Sequence, residues 1–231
     1  TGSENGKKRG LSDLLGLYDA FVRRHVLIPD EYITWSFPAV QRGLEAVKDF
    51  EPDVILATAP AFSDFIVARR LAGKTGLPWV ADYRDLWTGD VLREWIPKWR
   101  QRVEIGLEKR LLRSASAVVT VSEPKTSFVQ DRVPQLSSER FFTITNGYDL
   151  EEYEGLEAEG GDDNVFRIVY TGRLFKNRRG YELIQALGEL VAQYPEKSDK
   201  IRVEYYGGVS PEIEARMKEL IQGYGLQSNV R

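Results

Sequence analysis

A strand–helix–strand pattern runs through residues 52–87, PDVILATAPAFSDFIVARRLAGKTGLPWVADYRDLW. The apolar run at 53–57 predicts a strand buried on both faces, and residues 63–75 have helical spacing. Residues 76–78, GLP, end this helix, because glycine forms a left-handed cap and proline cannot continue the helix. Residues 79–81 then begin a second strand. Such an alternation with short loops predicts a mostly parallel sheet flanked by helices.

The same alternation continues on both sides of this pattern. Residues 151–164, EEYEGLEAEGGDDN, interrupt it with an acidic, glycine-rich stretch that is typical of a linker. We therefore predict an α/β protein with two units, at 1–150 and 165–231, in which residues 1–10 are flexible. The further predicted elements are helices at 11–23, from residue 36 and at 97–113, strands at 117–121 and 142–144, and, after the linker, strand 166–171, helix 180–193, strand 201–206 and helix 211–222.

The composition excludes several kinds of chemistry. The 231 residues contain no cysteine and one histidine, His25, which excludes disulfides, thiol catalysis and the usual Cys and His metal sites. The net charge of −3 gives no electrostatic reason to expect nucleic acid as a partner. No apolar run reaches the ~18 residues that a membrane-spanning helix needs. Chemistry therefore has to rest on carboxylates, arginines, hydroxyls and backbone amides, and we expect no metal.

The residues after each predicted strand form the first candidate site, because ligands of parallel sheets bind at the carboxyl ends of the strands. These segments are 58–63, 82–87, 122–123 and 146–149. In the second of them, two carboxylates flank an arginine, and an aromatic side chain follows. Carboxylates accept hydrogen bonds from hydroxyls or act as bases, and aromatic rings stack on sugars. The alternative is an Asp–Arg pair that only braces the loop, and the chemistry alone favours it slightly.

A second candidate site follows the strand at 166–171. A glycine at this strand end allows a ligand to approach the backbone, and the next helix start supplies free amides. Clustered arginines can donate paired hydrogen bonds to phosphate oxygens. A solvated basic loop is the alternative, but the position at a strand's carboxyl end favours phosphate binding. The residues concerned are Gly172, Arg173, Lys176, Arg178 and Arg179, with the weaker signal of Gly207 after the next strand.

Residues 93–113 have an unusual composition. They combine Trp95, Ile96 and Trp99 with seven basic and three acidic residues. Such a segment can lie on a membrane surface, with its aromatic side against the lipid and its cations near anionic headgroups. The plainer interpretation is a helix that packs its apolar face on the core and exposes its charged face.

The ordered set of motifs resembles the glycosyltransferase family 4 group of GT-B enzymes. The resemblance implies two Rossmann-like domains, the first holding the acceptor and the second holding a nucleoside-diphosphate sugar. It extends over roughly residues 30–210. Its motifs are PDVILATAPAFS at 52–63, GLPWVADYRDLW at 76–87, ASAVVTVSEP at 115–124, FFTITNGYD at 141–149 and RIVYTGRL at 167–174.

Roles for individual residues follow from this resemblance. Arg173, with Arg178 or Arg179, would contact the donor diphosphate, and Gly172 and Gly207 would belong to the same donor site. Asp85 is the candidate catalytic residue, as the contact to the acceptor hydroxyl. The acceptor side of the cleft would be lined by Ser63, Asp82, Arg84 and Trp87.

The implied reaction is transfer of a sugar to a hydroxyl of a glycan or lipid-linked acceptor in polysaccharide biosynthesis. The resemblance implies retention at the anomeric carbon and no metal or other cofactor. We expect a cytoplasmic protein that can lie at the inner face of the membrane.

Three departures from the family pattern qualify the expected activity. Phe65 stands where relatives often have histidine, the glycine-rich loop expected before residue 11 is missing, and the donor-gripping helix would lie beyond Arg231. We therefore expect a fragment in which both domains are incomplete. The alternatives are a non-catalytic binding or assembly module derived from such an enzyme, and another nucleotide-sugar enzyme such as an epimerase.

Overall fold

The computed structural model describes residues 11–90, 93, 95–156, 164–175 and 178–231. The chain is an α/β protein with parallel sheets and flanking helices, as the sequence predicts. It divides into two compact units, unit 1 up to Tyr148 and unit 2 from Asp149 onward. The flexible start expected at 1–10 and residues 157–163 of the expected linker lie outside the described residues. The linker at 151–164 therefore stays a prediction.

Unit 1 contains one parallel sheet with the strand order β1-β2-β3-β4. The carboxyl ends of these strands lie level with one another, because Ala59 pairs with Tyr83, Tyr83 with Thr120 and Thr120 with Thr143. The elements are α1 (Leu11–His25), α2 (Ser36–Phe50), β1 (Ile55–Ala59), α3 (Ser63–Thr75), β2 (Trp79–Tyr83), α4 (Lys98–Leu112), β3 (Ala117–Thr120), α5 (Glu123–Arg132) and β4 (Phe141–Thr143).

Unit 2 contains two parallel strands and two helices. They are β5 (Phe166–Thr171), α6 (Tyr181–Gln193), β6 (Ile201–Tyr206) and α7 (Pro211–Gly223). Each helix buries one apolar stripe, which includes Ile184 and Leu187 of α6 and Ile213 of α7. Val230 forms a parallel bridge with Val203 of β6.

The core of unit 1 lies between the sheet and helices α3 and α4, and it is rich in aromatic side chains. Phe65 is fully buried there, with its ring centroid 4.9 Å from that of Tyr83 and 5.9 Å from that of Trp79. The side chain that departs from the family pattern is therefore part of the core packing.

Strand β1 differs from the expected strand in position and burial. It begins two residues later than predicted, and its side chain at Leu56 is 65% exposed. Successive side chains of a strand point to opposite faces. Ala57 and Ala59 are buried, whereas Leu56 and Thr58 on the other face are exposed. The prediction of burial on both faces is therefore wrong for this strand.

Helix α4 follows the plainer interpretation of residues 93–113 only in part. Leu111 and Leu112 are buried and Lys98, Arg102 and Arg110 are exposed, but charged side chains also lie inside. Its buried residues include Arg100, Glu104 and Glu108, whereas Trp99 and Val103 are about half exposed. The charged side chains can lie inside because they satisfy one another and nearby polar groups. No helix among the described residues is long and apolar enough to cross a membrane.

Candidate functional site

The carboxyl edge of the sheet in unit 1 brings together polar side chains from three distant segments. Thr58 Oγ1 donates a hydrogen bond to Asp82 Oδ2 at 3.1 Å, and Arg84 Nε donates to the same oxygen at 3.0 Å. Arg84 Nη1 also donates to Asn146 Oδ1 at 2.9 Å. The expected meeting of the segments at 58–63, 82–87 and 146–149 is therefore observed. Asp82 is almost fully buried, and its Oδ1 has no hydrogen-bond partner among the described residues.

Asp85 lies at this edge as an accessible carboxylate. Its side chain is 63% exposed, and its Oδ1 is 3.4 Å from Lys125 Nζ. Lys125 also donates to the backbone oxygen of Arg84 at 2.7 Å, so it fixes the loop as well as approaching the carboxylate. No sequence motif points to Lys125, although it lies just after the strand-end segment 122–123.

Two glutamates of α4 hold the loop that carries Arg84 and Asp85. Before the loop, Tyr83 Oη donates to Glu108 Oε1 at 3.1 Å. After it, Trp87 Nε1 donates to Glu104 Oε2 at 3.0 Å, and the Thr88 hydroxyl donates to Glu108 Oε2. Burial raises the pKa of Glu108, and the hydrogen bonds from Thr88 and Tyr83 offset only part of this effect. Burial likewise raises the pKa of Tyr83.

Glu104 is also the centre of a buried ion-pair network. Its Oε1 is 2.6 Å from Arg100 Nε, and its Oε2 is 2.8 Å from Arg93 Nη2. Arg100 Nη2 donates to the backbone oxygens of Leu27 at 2.7 Å and Pro29 at 3.0 Å. The network therefore connects α4 to the segment that follows α1.

Two residues assigned to the acceptor side lie in the interior of unit 1. Trp87 has an exposed fraction of 0%, and its indole stacks on Phe62 with 5.3 Å between the ring centroids. Ser63 is also fully buried, and its Oγ donates to Asp30 Oδ1 at 2.6 Å. Neither side chain presents a surface to an acceptor. The expectation of direct contact with the acceptor is therefore wrong for these two residues and for the buried Asp82. Their side chains are used inside unit 1, in the stacking on Phe62 and in hydrogen bonds with Asp30, Thr58 and Arg84.

In unit 2, the loops after β5 and β6 approach each other closely. Gly172 and Gly207 have positive φ angles of 140° and 139°. A Cβ atom on Gly207 would lie 1.9 Å from the backbone oxygen of Gly172. Glycine is therefore required at position 207 by backbone packing, independently of any ligand.

Three exposed arginines, Arg173, Arg178 and Arg179, lie between the end of β5 and the start of α6. Arg173 forms no ion pair with a described residue, and the guanidinium of Arg178 lies 5.8 Å from the ring centroid of Phe175. Arg179 pairs with Glu182 at 3.1 Å. The start of α6 follows directly, with Gly180 as its N-cap and no side-chain capping bond. The arrangement leaves positive charge and free amides available to an anion; Lys176 lies outside the described residues.

The described residues contain no group of three or more His, Cys, Asp or Glu side chains that could hold a metal ion. This observation concerns the described part of the chain alone. The expectation of a reaction without a metal therefore stays a prediction.

Comparisons with solved structures give the fold of both units. The chain has 15% identity and a TM-score of 0.62 to a glycosyltransferase from Rickettsia africae, over 96% of this chain and 57% of that one. It has 19% identity and a TM-score of 0.56 to Anabaena Alr3699/HepE in complex with UDP and glucose, over 84% of this chain and 50% of that one. It has 14% identity and a TM-score of 0.60 to the E. coli trehalose-6-phosphate structure bound with UDP-2-fluoro glucose, over 93% of this chain and 55% of that one. The units therefore have the Rossmann-like fold of GT-B glycosyltransferases.

The chain spans 50% to 57% of the length of these three structures. A search of curated proteins gives no match. The profile of Glycosyltransferase Family 4 matches residues 9–152, which is more than half of the 231 residues. On this match, the chain belongs to glycosyltransferase family 4.

Proposed function

We propose that this chain is part of an enzyme that transfers a sugar from a nucleoside-diphosphate sugar to a hydroxyl of a glycan or lipid-linked acceptor. The observation that carries the proposal is the set of three exposed arginines, Arg173, Arg178 and Arg179, that follow the carboxyl end of β5 and precede α6. Ligands of open parallel sheets bind at such strand ends. Family membership supports the same assignment.

The diphosphate of the donor is the group that fits these arginines. Glycosyl transfer increases negative charge on the departing diphosphate, and preorganised cations stabilise the charge as it develops. Arg173 and Arg178 supply guanidinium donors, and the start of α6 supplies backbone amides and the positive end of the helix dipole. With this charge in place, the proposed reaction needs no metal. Retention at the anomeric carbon is part of the proposal on the basis of the family alone.

The acceptor hydroxyl is proposed to meet Asp85. Asp85 is exposed, and an ionised carboxylate can accept a hydrogen bond from a hydroxyl and orient it. Asp82 and Arg84 act differently: Asp82 fixes Arg84, and Arg84 holds Asn146. These contacts support a positioning role for Asp82, and a role at the accessible edge for Arg84 and Asp85.

Calorimetry with UDP and GDP tests the donor site. Replacing Arg173→Ala is expected to weaken binding about 10- to 100-fold, the effect of losing a hydrogen bond to a charged group. The control is Arg216→Ala, which removes an arginine of similar exposure on α7. Equal affinity of the original chain and the Arg173→Ala variant would contradict the donor assignment.

A transfer assay distinguishes the enzyme from a non-catalytic module. The full-length gene product is incubated with UDP- and GDP-sugars, and release of the nucleoside diphosphate is followed with and without candidate glycan acceptors. Release that depends on the acceptor supports the transferase. Binding without release supports the non-catalytic module, for which the core role of Phe65 in place of the family's histidine is the favouring observation.

We further propose that the enzyme is cytoplasmic and contacts the inner face of the membrane through residues 93–113. Both acidic residues of α4, Glu104 and Glu108, are buried. The exposed surface of α4 is therefore left with Trp99, Val103 and a set of cations, a combination suited to anionic headgroups. The exposed cations of this helix include Lys98, Arg102 and Arg110.

Sedimentation with vesicles tests this contact. Binding to phosphatidylglycerol vesicles should exceed binding to phosphatidylcholine vesicles and should weaken as salt is added. The Trp99→Ala variant should bind less, whereas Trp35→Ala, an exposed tryptophan of the 3₁₀ turn Ile33–Trp35, should bind as the original chain does. Absence of salt-sensitive binding would remove the membrane proposal.

A further inference from the structure

A cavity of about 470 Å³ lies within unit 1, between the segment that follows α1 and the residues that precede α4. This volume lies in the range of about 300–1,000 Å³ that is usual for small-molecule sites. The cavity opens beside the β1–α3 loop, to which Pro60 and Phe62 belong. The side chains that decide its chemistry are Arg23, Glu31, Tyr32, Phe62, Arg93 and Trp95.

The three arginines of this cavity, Arg23, Arg93 and Arg100, are outnumbered by four nearby carboxylates, those of Asp19, Asp30, Glu31 and Glu104. Arg23 pairs with Asp19 at 2.8 Å and with Glu31. Arg93 and Arg100 share Glu104, at 2.8 and 2.6 Å. The net charge of these groups is therefore negative, although the buried Nε of Arg93 has no hydrogen-bond partner among the described residues. A phosphate or another anion is disfavoured here.

Carboxylate oxygens at the cavity remain able to accept hydrogen bonds. The contact from Arg23 to Glu31 goes to Oε2, and a carboxylate has about four acceptor positions in total. Asp30 is more fully used, because its oxygens accept from the Ser63 amide at 2.9 Å and from the Ser63 hydroxyl at 2.6 Å. Glu31 is therefore the acceptor best able to bind a ligand hydroxyl.

Aromatic side chains supply the apolar part of the cavity. Trp95 and Tyr32 are about half exposed, with exposed fractions of 47% and 55%, whereas Phe62 is buried. The guanidinium of Arg93 lies 5.5 Å from the ring centroid of Phe62, so this ring is already covered. The guanidinium of Arg100 likewise lies 5.9 Å from the ring centroid of Trp95, but Trp95 is still about half exposed. The exposed surfaces of Trp95 and Tyr32 are those on which the C–H face of a sugar ring can pack.

We propose that this cavity binds an uncharged pyranose ring of a saccharide and that the acceptor of the proposed transfer is therefore a neutral glycan unit. The sugar ring packs on Trp95 and Tyr32, and Glu31 accepts hydrogen bonds from its hydroxyls. The identification of the saccharide as an acceptor rests on the proposed transferase function, whereas saccharide binding itself follows from the cavity.

Saturation-transfer NMR tests the cavity without any donor. The probes are the methyl glycosides of glucose, galactose and N-acetylglucosamine, with inorganic phosphate and glucuronic acid as anionic probes. Transfer to the ring protons of at least one neutral sugar is expected. The affinity should fall about three- to tenfold in Trp95→Ala and in Tyr32→Ala, the usual contribution of an aromatic contact. The Trp35→Ala variant, whose tryptophan is similarly exposed but does not line the cavity, should bind as the original chain does.

Three outcomes would overturn the proposal: no neutral sugar receives saturation, its affinity is unchanged in both cavity variants, or phosphate displaces it at equal concentration. Thermal unfolding of each variant verifies that the fold is intact. UDP calorimetry on the same samples separates the two proposals. Binding of UDP without binding of a neutral sugar would contradict the saccharide cavity alone. Binding of the sugar without binding of UDP would contradict the donor site alone.

Discussion

The two units treat their charged side chains in opposite ways. In unit 1, Arg100, Glu104 and Glu108 are buried behind the candidate loop and satisfied by one another or by neighbouring polar groups. In unit 2, Arg173 and Arg178 are exposed, and neither forms an ion pair with a described residue. A buried charge whose partner is removed destabilises the fold, whereas an exposed charge without a partner is available to a ligand. The difference separates residues that hold a site in position from residues that bind.

Removing the centre of the buried network is expected to have the largest effect on stability. Replacing Glu104→Ala takes the acceptor from Arg93, Arg100 and Trp87 Nε1. We expect the free energy of unfolding to fall by about 3–5 kcal/mol, the cost of leaving a buried charge uncompensated. Urea denaturation followed by tryptophan fluorescence measures it.

A surface pair provides the control for this prediction. Glu219→Ala breaks the exposed pair with Arg216 on α7 and should cost less than about 1 kcal/mol. If Glu104→Ala does not fold, Glu104→Gln, which keeps an acceptor oxygen, should fold with reduced stability. Equal losses in Glu104→Ala and Glu219→Ala would mean that the buried network does not stabilise unit 1.

In unit 2, stability is expected to depend on a close backbone contact between Gly207 and Gly172. Gly207→Ala forces a Cβ atom against the Gly172 carbonyl at a φ of 139°. We expect a loss of at least about 1–3 kcal/mol in the free energy of unfolding. Gly223→Ala, at the end of α7 with open space around it, should be neutral or stabilising. Identical urea midpoints for the two variants would show that the close approach of the loops is not needed.

The stability of unit 1 should depend on pH through the buried Glu108. Its pKa is raised in the folded state above its ordinary value of 4.5, so the folded protein holds this proton more tightly than the unfolded chain. Its contribution to stability is therefore complete below the unfolded pKa and is lost as the pH rises through the folded pKa, by at most about 1.4 kcal/mol per pH unit.

The Glu108→Gln variant removes this titration. Relative to the original chain, the variant should gain stability as the pH is raised from about 4 to about 7. Urea denaturation at each pH measures the difference, with the exposed Glu212→Gln as the control. A difference that stays constant over this range, or that changes in the opposite direction, would contradict the raised pKa.

The smallest effect is expected at an arginine of the proposed donor site. Arg179→Ala breaks the exposed pair with Glu182 and should change the free energy of unfolding by no more than about 1 kcal/mol. The measurement is the same urea titration, and the reference is the loss in Glu104→Ala. A loss of similar size in both variants would mean that the arginines of unit 2 hold the fold.

Much of the secondary structure is predictable from local periodicity. The helix predicted at 63–75 is found at Ser63–Thr75, and the strand predicted at 166–171 is found at Phe166–Thr171. Helix α5 is not predicted, because its sequence EPKTSFVQDR buries only Val129 and has almost no apolar stripe. The meeting of 58–63, 82–87 and 146–149 is predictable because carboxyl ends of parallel strands share an edge.

Most of the strands and helices, the parallel sheets and the position of the candidate segments are predictable from the sequence, because each depends on spacing within a short stretch of chain. The face of α4 that is buried depends instead on contacts with distant segments of the chain. Periodicity favours Trp99 and Val103, but Arg100 is buried because it donates to the backbone of Leu27, 73 residues earlier. Burial of a charge depends on partners from distant segments, which no local pattern contains.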